Sequence, residues 1–477
     1  MRDDGGKDFL PIELGPVSNG EYDPVPMSAV GAETTRLTRE VIDERARRLG
    51  MSRRSFLRTS MASAVMLMTL DACTSEERAS RSKHAGGRLN VPETTTAEPS
   101  LPSTDFVMDV QTHFLDFTEH PDALDFGSSF PQSACGDADS RLCFSIDHYL
   151  EELFLGSDTD LAVVSAIPIP PEANALTIDD MQRAKRIAER LCKEERILVH
   201  GQALPAYGPL DAQLAAMDTL VAEHRIAAWK VYTHAPGRGW YFDDHEAGLP
   251  QVGNAFLDKL REVGPPIVSV HKGLAGGSRF ASPVDIGPAA VAHPDISIVV
   301  YHSGYEASYR EGPYHPDGRG IDRLVRSLRD ASIQADSNVY AELGSTWYLL
   351  MRDLDAAAHA LGKLLTAVGP DNIVWGTDSI WYGSPQSQID AFRAFEITPE
   401  YQETYGYPAL TAEVKQKILG TNAARLYSVE PVSTTCEFDA ADIAAARAAL
   451  PARPAAYGPR TAAAVRSLAH DHAWIGF

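Results

Sequence analysis

The run Phe106-Val-Met-Asp-Val-Gln-Thr-His-Phe-Leu115 reads as an apolar strand that ends by presenting Gln111 and His113. Side chains two residues apart on a strand share a face, so both can reach one metal ion. Seven further short apolar runs rich in β-branched residues follow, at 161–167, 197–203, 226–233, 266–271, 296–302, 338–343 and 373–378. Between them lie longer stretches with apolar residues at helical spacing, at 178–193, 211–224, 254–263, 354–368 and 411–419. Strands alternating with helices predict a parallel sheet, and eight such units predict a (β/α)8 barrel. The Pro/Gly-rich stretch 278–295 carries the weakest helical pattern, and long loops at 114–145 and 234–252 are expected over the barrel mouth.

The 477-residue chain carries a formal charge of −22 and a pI near 5.1. A carboxylate excess of that size excludes nucleic acid as the natural partner, because phosphate backbones are bound by Lys and Arg. Ahead of the barrel, Ser52-Arg53-Arg54-Ser55-Phe56-Leu57-Arg58 precedes an apolar run at 61–70 that is too short to span a bilayer. This looks like a twin-arginine export signal, with Arg58 in place of the usual Lys; the alternative is a chance basic pair on a helix. Leu70-Asp71-Ala72-Cys73 resembles a bacterial lipobox with an unusual Asp71, which predicts a lipid anchor at Cys73, with plain cleavage nearby as the alternative.

The expected organisation is a long n-region and signal over 1–73, a Ser/Thr/Glu/Pro-rich flexible linker over 74–104, the barrel over 105–428, and an Ala-rich helical extension over 429–477. The expected location is outside the cytoplasmic membrane, periplasmic or lipid-anchored. Cys135 and Cys143 are spaced to close a short loop as a disulfide, or to stay as free thiols.

In a barrel of this type the C-terminal strand ends converge on one mouth, where chemistry is expected. His113 ends the first strand, Lys230 lies on the fourth, His271 ends the fifth, His302 the sixth and Asp378 the eighth. Imidazole nitrogen and carboxylate oxygen suit zinc, with manganese or iron as alternatives, and three protein ligands leave one position open. His113, His271 and Asp378 are the candidate ligands of one divalent ion. Asp378 is also a candidate proton acceptor, and His302 a general acid or base. For each histidine alone, the bland reading is a hydrogen-bonded strand end.

The segments Asp109-Val-Gln-Thr-His113, Val270-His271-Lys272, Val300-Tyr-His302-Ser-Gly304, Trp375-Gly-Thr-Asp378 and Ile418-Leu-Gly-Thr-Asn-Ala-Ala-Arg-Leu-Tyr427 resemble the amidohydrolase superfamily. The nearest branch is the amidohydrolase-related group that includes aminocarboxymuconate-semialdehyde decarboxylase. The resemblance spans roughly 105–428 and implies His113, His271 and Asp378 as metal ligands and His302 as the catalytic histidine. The family usually opens with His-x-His, whereas this chain has Gln111, a weaker neutral donor that would ligate, orient water or bind substrate.

Several further residues are candidates for substrate contact. Lys230 would pair with Asp378 or substrate, or be a buried structural lysine. Glu342 would be an extra acid or a paired buried carboxylate. Arg238 or Lys272 would clamp a departing carboxylate. Trp381, with Trp229, Tyr232, Trp240, Tyr241, Trp347 and Tyr382, would build an apolar pocket or pack the barrel.

Three functions compete on this reading. The first is a metal-dependent hydrolase that attacks an amide, ester or lactone of a small substrate with a metal-bound hydroxide. The second is a metal-dependent non-oxidative decarboxylase of an aromatic or enoic acid. The third is a metal-free binding protein on a degenerate barrel. Expected partners are a small-molecule substrate and the twin-arginine export machinery, with a homodimer as one allowed assembly.

Overall fold

The computed structural model describes residues 10–57, 59–80, 85–91, 105–125, 135, 137, 139–167, 169–192, 194–432 and 461–463. Almost all of the expected C-terminal extension therefore lies outside the described residues. The eight expected runs form one parallel sheet in sequential order. We label its strands β1 (Met108–Thr112), β2 (Leu161–Val164), β3 (Ile197–Gln202), β4 (Ala228–Tyr232), β5 (Ile267–His271), β6 (Ser297–Tyr301), β7 (Val339–Glu342) and β8 (Ile373–Val374). The sheet closes on itself: Val110 N donates to Trp375 O (3.0 Å), Asp378 N to Gln111 O (2.9 Å) and Ile380 N to His113 O (3.2 Å). The expected (β/α)8 barrel is the fold.

Alternation along each strand sorts the side chains into two layers. Met108, Val110, Leu161, Val163, Leu198, Ala228, Ile267, Val299 and Val374 fill the barrel interior. Val107, Trp229, Val231, Val268, Val270 and Trp375 join the outer layer under the helices. On β1 the register shifts between Asp109 and Thr112, a bulge against β2. This extra residue turns Gln111 into the mouth although Val110 already faces inward, and it sends Thr112 outward to the Tyr149 hydroxyl at 2.8 Å.

The packed body extends well before Asp105. Helix Ala29–Arg48 lies against helix Ser60–Ser80, with Ile42, Met66, Leu67 and Leu70 all fully buried. Arg78, at the end of the second helix, is tied to Asp355 (2.6 Å) and to Gly87 O (2.7 Å). A short strand, Gly87–Leu89, pairs antiparallel with Phe395–Ile397. The linker expected over 74–104 is thus structured at 74–80 and 87–89, and its residues 92–104 lie outside the described set. Composition hid this order because strand pairing, an ion pair and scattered hydrogen bonds, rather than a hydrophobic period, do the anchoring. Residues 53–56, within the stretch read as an export signal, form a helical turn with Phe56 buried, and Cys73 is 5% exposed within its helix. Among the described residues, no helix is long and apolar enough to cross a membrane.

Cys135 and Cys143 are joined as a disulfide with a Cα–Cα distance of 5.6 Å. Two helices absent from the expected set, Ile321–Asp330 and Gln386–Ala394, complete the outer layer.

Candidate metal centre

His113 donates its Nδ1 proton to Ser165 O (2.6 Å), which leaves Nε2 facing the mouth, 3.2 Å from Asp378 Oδ1. His302 is held the same way, with Nδ1 on Gly344 O at 2.6 Å. A ring nitrogen anchored on a backbone carbonyl fixes the tautomer and aims the other nitrogen as a lone pair. The Gln111 amide bridges the two groups, its Nε2 lying 3.0 Å from Asp378 Oδ1 and 3.4 Å from His302 Nε2. His271 lies against His302 with ring centroids 4.4 Å apart, and neither of its ring nitrogens has a hydrogen-bond partner. All five side chains are at most 3% exposed.

Two of these residues are aimed by left-handed backbone. His302 has φ 62° and Asp378 φ 63°, conformations that cost a non-glycine residue on the order of 1–3 kcal/mol and persist only where neighbours enforce them. Glu342 is the enforcer for His302. Its Oε2 accepts the His302 N–H at 2.9 Å, its Oε1 accepts the Gly344 N–H at 2.5 Å, and Thr346 Oγ1 donates to His302 O at 3.0 Å. Asp109 plays the matching part for β8, accepting from Gln111 N (3.1 Å), Thr377 N (3.1 Å) and the Thr377 hydroxyl. Ser345 Oγ donates to Asp378 Oδ2 at 2.6 Å.

Burial governs the charges here. It pulls His302 down to about 4, against the Asp378 charge and the Gly344 carbonyl, so the ring is neutral near pH 7. His271 is pushed well below the ordinary histidine value by burial and by the neighbouring His302 and His234. Burial alone would raise the Asp378 carboxyl, but the neighbouring His113 and His302 rings and the Ser345 hydroxyl outweigh it and hold the group below its usual range. Glu342 is pushed up to about 8, chiefly by burial. Lys230 is pulled down to about 7 by burial, against the carboxylates of Glu342 and Asp378; its Nζ has no hydrogen-bond partner and sits 3.4 Å from the Tyr301 ring centroid.

The expected substrate contacts divide. Lys230 is at the mouth, and Trp381 stacks on His113 at 5.1 Å. Glu342 is spent on backbone amides beneath His302. Arg238 is exposed on its loop, where it donates to Gly248 O at 3.1 Å, and Lys272 is fully buried against Asp285 at 2.8 Å and Phe280 O at 2.8 Å. Arg238 faces solvent, and Lys272 is paired with a carboxylate inside the outer layer. Trp229, Trp240 and Trp347 pack with the helices, as the alternation on β4 requires for Trp229. Tyr232 faces the mouth, stacked on His271 at 4.7 Å.

Sequence reasoning missed Ser345, Asp109 and, most of all, Glu21. Glu21 Oε1 lies 3.6 Å from His271 Nε2, and Glu21, His271 and His302 form a group whose ligand atoms are all within 4.8 Å of one another. No local signal marks Glu21, which lies far upstream of the barrel.

The residues present fit a divalent cation. Two anchored imidazoles offer Nε2, a third has both nitrogens unpaired in a buried site, and an ionised carboxylate stands beside them. The sequence pattern of one protein family, described as amidohydrolase, matches residues 109–429. Similar solved structures include an uncharacterised TIM-barrel protein from Bordetella bronchiseptica (14% identity, 68% of this chain and 98% of that one, TM-score 0.45). Others are 2,6-dihydroxybenzoate decarboxylase from Rhizobium (16%, 68% and 99%, 0.38) and a putative 2-pyrone-4,6-dicarboxylic acid hydrolase from Pseudomonas putida (15%, 68% and 98%, 0.41). None of the curated proteins compared matches the chain.

Proposed function

The chain belongs to the amidohydrolase family, and on that footing we propose that it is a metal-dependent hydrolase of an amide, ester or lactone bond in a small substrate. The observation that carries this reading is the convergence of His113, Gln111, His271, His302 and Asp378 from the ends of four strands, with the Nε2 atoms of His113 and His302 turned to the mouth. His113, His271 and Asp378 would hold the cation, zinc first and manganese or iron next. When bound, the cation supplies Lewis acidity, polarising a carbonyl and making water acidic enough to lose a proton near neutral pH. His302 Nε2 takes that proton, since Nδ1 is committed to Gly344 O and the ring is neutral. Asp378, steadied by the Ser345 hydroxyl, stabilises the imidazolium that results. Trp381 and Tyr232 form apolar walls beside the reacting carbonyl.

A second reading, non-oxidative decarboxylation, is supported by Lys230, a buried cation at the mouth with no hydrogen-bond partner and a natural seat for a substrate carboxylate. Of the two residues expected to clamp a departing carboxylate, Lys272 is committed to Asp285, and hydrolysis is kept as the first reading. Metal-loaded protein incubated with lactones, amides, esters and hydroxybenzoate-like acids should release new carboxylate from the first three. Carbon dioxide from the acids alone would reverse the order, and failure to hold or use added zinc or manganese would leave the binding-protein reading. His302→Asn should abolish turnover and keep the metal; loss of metal would make His302 a ligand.

The reading extends to export by the twin-arginine route. It is supported by the motif at residues 52–58 and by the Cys135–Cys143 disulfide, which suits an oxidising compartment.

A further inference from the structure

The segment before the first helix crosses the barrel mouth. Leu10, Ile12, Leu14, Val17 and Tyr22 are buried, Gly276 N donates to Glu21 O at 2.8 Å, and Arg352 Nη1 reaches Gly15 O at 3.4 Å. Its turn is built to present one side chain. Ser18 Oγ donates to Tyr22 O (2.5 Å) and accepts from Gly20 N (2.9 Å), Asn19 Oδ1 accepts from Glu21 N (3.1 Å), and Asn19 Nδ2 donates to Glu21 Oε2 (3.0 Å). Gly20, at φ 93°, supplies the left-handed step. The other carboxylate oxygen, Oε1, is thereby directed at His271.

We propose that Glu21 is a ligand of the cation held at the barrel mouth, a carboxylate delivered from outside the barrel to a site whose first-strand position is the weak donor Gln111. The inference rests on the metal-centre reading above and adds a residue that the barrel itself does not contain.

Distance, charge and connection support it. Two donors on one tetrahedral zinc, each about 2.0–2.1 Å from the ion, stand about 3.4 Å apart. Glu21 Oε1 and His271 Nε2 are separated by 3.6 Å, beside the 3.2 Å of His113 Nε2 and Asp378 Oδ1. A neutral amide at position 111 leaves Asp378 as the ionised ligand on the barrel, and a divalent ion in a buried site is better matched by a second negative charge. The segment also reaches Asp378 through hydroxyls: Tyr22 to Tyr382 at 3.0 Å, Tyr382 to Ser345 at 3.0 Å, and Ser345 to Asp378 Oδ2 at 2.6 Å. It therefore touches the site from both sides.

The test uses the full chain, with zinc affinity measured by chelator competition for the wild type and for Glu21→Gln, which keeps the shape and the Asn19 contact. Losing an outer partner of a metal ligand weakens metal by about 10–100-fold, so losing a ligand should weaken zinc at least that much. The metal-free variant should melt close to the wild type, because Gln keeps the shape and the Asn19 contact, while its zinc-induced rise in Tm shrinks. Cobalt-loaded wild type and variant should differ in visible absorption. Equal zinc affinity and equal cobalt spectra would overturn the inference, and higher turnover with equal affinity would show Glu21 to be only a plug. A wild type that binds no zinc would instead sink the metal-centre reading, and the inference with it.

Discussion

His302 and Asp378 show how much chemistry a single dihedral decides. Each sits just past a strand with positive φ, and strict alternation from Tyr301, which is in the interior layer, would have sent the His302 side chain outward. Their identities were legible in the sequence, but the Glu342 and Asp109 carboxylates that enforce their backbone were not, because those contacts join different strands. A buried carboxylate away from the mouth offers a test of the same electrostatics. Burial pushes Asp390 up from 3.8 to about 6, partly offset by the Gln386 amide. The folded state then holds more protons than the unfolded chain between those values, so this group lowers stability as pH rises through 3.8 to 6, and the loss is complete above 6. Asp390→Asn should therefore stabilise the protein at about pH 7.5 by on the order of 1–3 kcal/mol and gain little at about pH 4. Urea unfolding at both pH values measures this, and an equal change at each would refute it.

At the scale of elements, all eight strands were legible because a buried parallel strand is a continuous apolar run, and their expected ends exceed the observed ones by a few residues at most. The bulge in β1 was not, since it exists only relative to β2. Helix Ile321–Asp330 carries Ile321, Leu324, Val325 and Leu328 at helical spacing and was readable, although it was not in the expected set. Helix Ser60–Ser80 is the instructive case, because its apolar run satisfies both a signal sequence and a buried helix. Its burial against helices Ala29–Arg48 and Gln386–Ala394 makes a measurable difference. Leu70 is fully buried there, so Leu70→Ala in the intact chain should cost about 2–5 kcal/mol. A change within about 0.5 kcal/mol, typical of exposed positions, would show that the helix does not pack on the folded domain.

For the whole molecule, the proposed export route and the proposed metal ligand Glu21 bear on each other, since cleavage near Cys73 would carry Glu21 away with the residues that precede it. Fractionation of a producing bacterium, followed by intact mass, should find the protein outside the cytoplasmic membrane; if Glu21 is a ligand of the working enzyme, the residues before Cys73 are retained, against the lipidation or cleavage expected at or near Cys73. A mass beginning at Cys73 would mean that the exported form works without the Glu21 carboxylate. Residue order alone records the barrel, the strand-end histidines and Asp378, and the anomaly at Gln111, because periodicity and strand-end position are local properties. The closed fold was needed to pair Lys272 with Asp285, to commit Glu342 to backbone amides and to bring Glu21 to His271 from the far end of the chain. Which charge faces which is set by the closing of the barrel and the path of residues 10–24 across it, and a contact of that range leaves no trace in the spacing of residues.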